Sequence, residues 1–273
     1  MSAQGIRLST SARADTSHQL VTRLDRLPVD GINNDIARGY VPGAASFGSF
    51  GERDFVGAAV NEMIWSDGAY NVPPIAGVQL SISSTSADDS ATGTGIRSIE
   101  LHYLDSNLEE QIEIVVLNGL TPVLTQATNI RFVNLMHIQS FGTQSLAQGN
   151  IQGVSGGLTY ASILTGSNVQ ISSARMVPRN KRLYVSGASA GAISGTSAAR
   201  VLIRFVANSY NGLTFNDPVV FLPYGSIGVQ DSTVVYQFPV PFGFGEGIII
   251  GLRASCDKGC TVSGSLYGWL EDV

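Results

Sequence analysis

Arg97-Ser98-Ile99-Glu100-Leu101-His102-Tyr103-Leu104-Asp105-Ser106-Asn107-Leu108-Glu109-Glu110-Gln111-Ile112-Glu113-Ile114-Val115-Val116 is the stretch that decides the fold class. Ile99, Leu101 and Tyr103 alternate with Ser98, Glu100 and His102. A period of two is that of a β-strand, whose successive side chains point to opposite faces. Asp105-Ser106-Asn107 follows, and short polar side chains of this kind bond their own backbone and favour turns. Ile112, Ile114 and Val116 then alternate with Gln111, Glu113 and Val115. Strand, short turn and strand make an antiparallel hairpin.

The same pattern extends in both directions. Val78, Leu80 and Ile82 alternate with polar neighbours, Asn118-Gly119 is a strong hairpin-turn pair, and 129–138 reads as a further strand. Residues 141–175 are rich in Gln, Ser and Gly and read as a linker or a set of weak edge strands. Strand signals return at Arg182–Val185, Arg200–Val206, Val234–Phe238, Gly247–Arg253 and Thr261–Leu270. No long stretch after position 60 keeps a helical period, and there is no tandem repeat. The fold class is therefore all-β, with one or two β-sandwich or jelly-roll-like units. Residues 61–140 form a first β domain. Residues 176–273 form a second β-rich half, either a separate unit or the remainder of the same sandwich.

Residues 1–60 read differently and predict an extended N-terminal arm. Thr16 to Leu27 could make one short helix that Pro28 stops. Gly39 to Gly51 is loop-like, with Pro42, Gly43 and Gly48. Ile32, Ile36, Tyr40, Val41, Phe47, Phe50 and Phe55 supply apolar anchors for a neighbouring subunit. A flexible leader is the alternative.

Charged residues make up 14% of the 273, against about 25% in ordinary soluble domains. So little charge suits a chain that buries its outer surface in an assembly. The net charge of −5 and pI of 5.1 offer no basic footprint for nucleic acid. No apolar run is long enough for a membrane-spanning helix, and the first residues lack the apolar core of a signal peptide, so manufacture in a cytoplasm is expected.

No constellation predicts catalysis, a cofactor or a metal. Glu109, Glu110 and Glu113 flank the hairpin without a geometry that suggests an acid pair across a cleft. Asp88 and Asp89 match no calcium loop. His18, His102 and His137 are scattered, with no zinc spacing. No nucleophile elbow precedes a helix, and the glycine runs 93–95 and 243–245 lead into no phosphate-binding helix. Cys256 and Cys260 flank a turn. In a hairpin they could face each other as a disulfide, and free thiols are the alternative. Phe238-Pro239-Val240-Pro241-Phe242-Gly243-Phe244 places prolines where a central strand cannot hold them, so it marks a loop or sheet edge. Phe238, Phe242 and Phe244, with Phe47, Phe50 and Phe55 in the arm, are the candidate interface residues.

Three segments carry a family resemblance. Ser86 to Ser98 contains Gly93-Thr94-Gly95-Ile96-Arg97. Tyr103-Leu104-Asp105-Ser106-Asn107 follows, and then Val116-Leu117-Asn118-Gly119-Leu120-Thr121-Pro122-Val123. Together they resemble a pattern in virion structural proteins of tailed bacteriophages: a Gly-Thr-Gly-Ala-Arg loop, a Leu-Asp-x-Asn turn, and a Leu-Asn-Gly-Thr-Thr-Pro-Val strand end. Ile96 stands where Ala is usual and Leu120 where Thr is usual. Trp65-Ser66-Asp67-Gly68 and Val177-Pro178 to Tyr184 match more loosely. The resemblance covers roughly a quarter of the chain. It implies a non-enzymatic virion component made in the host bacterial cytoplasm, either decorating (cementing) the capsid or attached to the tail. The alternative is a fibre-like receptor-binding protein that contacts the host surface. The low charge and the apolar anchors lead to the expected partners, which are further copies of the chain, with a trimer expected, and other virion proteins held through the arm. Neither nucleic acid nor membrane is among them.

Overall fold

Near one end of the chain, Ala44 begins a strand that pairs with the last strand of all. In the computed structural model, which describes residues 32–194, 199–208, 222–229 and 232–273, β1 (Ala44–Phe55) runs antiparallel to β16 (Cys260–Asp272). The register runs from Ala44 opposite Glu271 to Phe55 opposite Cys260. β16 pairs in turn with β11 (Lys181–Ser194), and β11 with β14 (Ser232–Phe244), giving a sheet of order β1-β16-β11-β14. The facing sheet contains β15 (Ile249–Cys256), β12 (Val201–Ala207) and β13 (Leu222–Val229), in that order. The other flank of β15 is shared by β2 (Ala59–Met63) and β10 (Arg175–Met176). Reading β2 and β10 as one strand position, four strands face four, and β1, β2, β11, β12, β13, β14, β15 and β16 wind between the sheets as in an eight-stranded jelly roll. Leu183, Val185, Val262 and Leu266 from one sheet meet Ile203, Phe205, Leu252 and Ala254 from the other in its core.

A second sandwich is inserted into this one. β2 covers β15 from Met63 opposite Arg253 to Ala59 opposite Cys256, and β10 covers Ile249 and Ile250. The chain leaves and re-enters in the gap between them. There the Ile64 N–H donates to the Leu252 carbonyl (2.8 Å) and the Ser173 N–H to the Ile64 carbonyl (3.1 Å). The Leu252 N–H donates to Ser173 Oγ at 3.1 Å. Hydrogen bonding between the crossing and β15 therefore continues through the break. Gly51 of β1 lies against the crossing, where a Cβ would stand 2.3 Å from the Ile64 carbonyl oxygen.

The inserted sandwich has one sheet of β4 (Ile96–Asp105), β5 (Glu110–Val116) and β7 (Ile130–Phe141), in the order β5-β4-β7. Its other sheet contains β3 (Ser81–Ser84), β6 (Val123–Leu124), β8 (Ile151–Ser155) and β9 (Leu158–Ile163), in the order β6-β3-β8-β9. Leu80, Ile82, Ile99, Leu101, Ile130 and Ile151 are fully buried between them. A separate apolar cluster, in which Leu104 and Phe132 meet Trp65, Met176 and Ile249, packs this sandwich against the jelly roll.

The expected hairpin at 97–116 is present, and its turn works as read. Asp105 Oδ1 accepts from the N–H groups of Asn107 (2.8 Å) and Glu109 (3.0 Å). The expected segment boundaries change. Residues 43–273 form one compact unit that includes β1 and β2, so the described part of the expected arm from residue 43 to residue 60 belongs to the β structure. β1 and β2 belong to the jelly roll because each finds a full-length partner late in the chain. Of the two readings of residues 141–175, linker or edge strands, the strands are found: β8 lies between β3 and β9, β9 forms the edge of that sheet, and Ile151, Ala161 and Ile163 are core. Ahead of β1 a short helix, α1 (Ile32–Ala37), is followed by Gly39 at φ 73°. The helix expected at Thr16 to Leu27 lies outside the described residues.

Candidate functional site

The proline-bracketed aromatic run sits at a sheet edge. On β11 only Ser186 lies between Val185 and Gly187, whose partners on β14 are Phe242 and Gln237. On β14 four residues, Phe238, Pro239, Val240 and Pro241, fill the same interval. Proline has no N–H to give a ladder, so the strand bulges there. Within the bulge Phe238 and Phe242 turn toward Phe205, each with a ring separation of 5.8 Å, and they lie 4.9 Å from each other. With Ile203 and Ile227 they line a cavity of about 670 Å³ on the flank where the edges of the two jelly-roll sheets meet. Val235 and Val240 are 66% and 75% exposed beside it. An apolar cavity with an aromatic wall and an unshielded apolar rim can accept an apolar segment of a partner.

The six candidate interface phenylalanines separate accordingly. Phe244 is buried, packed edge-on to Phe205 at 5.7 Å. Phe55 is buried because the end of β1 is core rather than arm. Those two are corrected to core residues. Phe47 is half-buried against the same core, as are Phe238 and Phe242. Phe50 stands exposed on β1.

A second apolar surface lies on the inserted sandwich. Ile112, Ile114 and Val116 of edge strand β5 are 62%, 52% and 55% exposed. Residues directly opposite each other in an antiparallel pair share a face. Ile112 lies opposite His102, Ile114 opposite Glu100 and Val116 opposite Ser98. The apolar face of β5 is therefore paired with the polar face of β4. The central strand wins, since Ile99 and Leu101 are fully buried, and β5 follows with its apolar residues outward. Glu113 is held on the inner side, where its carboxylate accepts from the N–H groups of Gln126 (2.6 Å) and Ala127 (3.2 Å). Glu109 lies 3.5 Å from Arg179. Neither carboxylate faces the other across a cleft.

Asp89 is a structural residue. It is fully buried, and its carboxylate accepts from Ser84 Oγ (2.7 Å), Ile96 N (2.9 Å), Gly149 N (2.9 Å) and Gln148 N (3.2 Å). The Asp89 carbonyl accepts from the N–H of Gly119, which sits at φ 61°. At Gly95 a Cβ would fall 2.3 Å from Asp89 Oδ1. Segments of the family-like pattern thus meet at Asp89, the 86–98 loop at its carboxylate and the Asn118-Gly119 turn at its backbone carbonyl.

Cys256 and Cys260 do not flank a hairpin. β15 and β16 belong to different sheets, so their connection is a corner of the sandwich. Both thiols are free and buried. Burial and the neighbouring Cys256 push the Cys260 thiol up to about 12. It therefore stays protonated at neutral pH and is a poor nucleophile for disulfide exchange.

No protein-family model matches the chain, and no curated protein matches it. Among solved structures, a chain of the T13 particle of IBDV aligns with 89% of this chain and 79% of its own, at 8% identity and a TM-score of 0.18. A mutant VP2 protein of infectious bursal disease virus, from T=1 particles, aligns with 88% of this chain and 78% of its own, at 7% identity and a TM-score of 0.14. Superpositions this loose leave the functional reading to the chain's own topology. Among the described residues no helix is long and apolar enough to cross a membrane.

Proposed function

We propose that the chain is a non-enzymatic structural subunit of a virus particle, with the jelly roll as its assembling layer and the inserted sandwich as a projecting module. The observation that carries this reading is the eight-stranded jelly roll interrupted within one strand position by a complete second sandwich. Jelly rolls recur in viral shells, and also in lectins and cupins, so the topology needs a second argument. Low charge together with two exposed apolar surfaces, on the β14 flank and the β5 edge, favours a chain that packs against others. Of the hairpin carboxylates, Glu109 pairs with Arg179 and Glu113 accepts from backbone N–H groups.

The finer reading follows the family-like pattern: a tailed-phage particle, with the chain decorating the capsid or attached to the tail. It would form a homo-oligomer, three-fold by expectation, with residues 1–42 reaching a neighbouring virion protein. Light scattering on the purified chain tests the self-association. An oligomer is expected, and Val240→Asp, which charges the exposed rim of the flank cavity, should weaken it by at least tenfold while leaving the thermal melt within a few degrees. A strictly monomeric chain at high concentration, or an oligomer indifferent to Val240→Asp and equally to Ile114→Asp, would count against these surfaces.

A further inference from the structure

Glu100 and His102 lie two residues apart on β4 and so share its outer face. On β7, His137 stands directly opposite Glu100. His102 Nε2 is 2.7 Å from Glu100 Oε1 and 3.3 Å from His137 Nε2, and His137 Nε2 is 3.4 Å from the same Glu100 oxygen. Three atoms able to ligate a metal thus converge from two adjacent strands. The side chains are 24%, 34% and 32% exposed for Glu100, His102 and His137, so one side of the group opens outward.

The ring orientation points ligating atoms at one centre. His137 Nδ1 lies 3.0 Å from the Ile138 carbonyl, which can only accept, so Nδ1 carries a hydrogen and Nε2 is the nitrogen turned toward Glu100 and His102. The Glu100 carboxylate offers lone pairs to the same point. The dimensions agree. A tetrahedral zinc ion with bonds of about 2.0–2.1 Å has ligand-to-ligand edges of about 3.3–3.4 Å. Two of the three edges here already have that length, and the third, the His102–Glu100 hydrogen bond, reaches it by a small side-chain rotation.

We propose that Glu100, His102 and His137 form a site for one divalent transition-metal ion, zinc by the character of the ligands. Two imidazoles and a carboxylate suit zinc, and three protein ligands leave a fourth position, here on the open side. The Ile138 carbonyl fixes the His137 tautomer, as the outer-shell partner of a ligating histidine commonly does. The bound ion would brace β4 against β7 on the solvent-facing side of the β5-β4-β7 sheet.

The test uses the full chain without an affinity tag, stripped with chelator and titrated with Zn²⁺ by calorimetry, with metal content and thermal melt measured in parallel. One zinc per chain is expected, with a rise in melting temperature that chelator reverses. His102→Ala, His137→Ala and Glu100→Gln should each weaken binding at least tenfold, while Glu109→Gln should not. Where an alanine variant melts lower without metal, His137→Gln replaces it in the comparison. The proposal is overturned if the chain takes up no zinc. It is equally overturned if uptake survives the His102→Ala, His137→Ala double substitution and disappears in Cys256→Ser, Cys260→Ser.

Discussion

Asp89→Ala should unfold the inserted sandwich or bring it close to unfolding. Alanine removes a fully buried carboxylate and leaves the N–H groups of Ile96, Gln148 and Gly149 and the Ser84 hydroxyl without that acceptor. A buried polar group that loses its partner costs about 1–3 kcal/mol. With several such groups at one point the expected loss is about 4 kcal/mol or more, within the range of the most damaging single substitutions. The loop is closely packed around this point, since a Cβ at Gly93 would stand 2.1 Å from the Asp88 carbonyl oxygen and one at Gly95 would stand 2.8 Å from Gln148 Cγ. Asp89→Asn keeps the shape but turns an amide donor toward amide donors, so it should fall between. Urea denaturation measures both, and a loss below about 1 kcal/mol for Asp89→Ala would contradict the role given to this residue.

Removing residues 1–42 should leave residues 43–273 folded and abolish incorporation into particles. The strands of the larger unit hydrogen-bond among themselves, with β1 paired along its whole length to β16, so the deletion breaks no ladder among the described residues. The N-terminal sequence holds apolar residues such as Ile6, Leu8, Leu20, Val21, Leu24 and Leu27, and burying each on a partner stabilises by about 1.5–3 kcal/mol. Ordering the segment costs about 1–2 kcal/mol per residue in backbone entropy, so backbone hydrogen bonds to the partner, by strand addition, must contribute as well. The far-UV spectrum and melt of the truncated chain should match the parent, and its incorporation should fall to background. Normal incorporation of the truncated chain would remove the anchoring role.

The sequence makes the all-β class and the first hairpin readable because strand alternation and turn chemistry are local properties. Phe238 to Phe244 could be placed at an edge for the same reason: proline excludes itself from a central ladder. What stayed hidden depends on partners far along the chain. β1, with Ala44, Ala45, Gly48 and Gly51, has blurred alternation, and only its pairing with β16 makes it a strand. The insertion is invisible because β2 and β10 are each too short to signal that they continue one another. Ile112, Ile114 and Val116 look like core residues until the register with β4 turns them outward. Glu100, His102 and His137 have no recognisable ligand spacing because one of the three is supplied by a cross-strand neighbour. Asp89 looks like a surface loop carboxylate, and only the convergence of 84, 96 and 148–149 around it shows otherwise.

Quantitative mass spectrometry of gradient-purified virus particles, against the infected-cell lysate from which they came, tests the structural role most directly. The account predicts that this chain co-purifies with particles at a fixed ratio to the major shell or tail protein and survives a high-salt wash. A chain abundant in the lysate but absent from washed particles would contradict it.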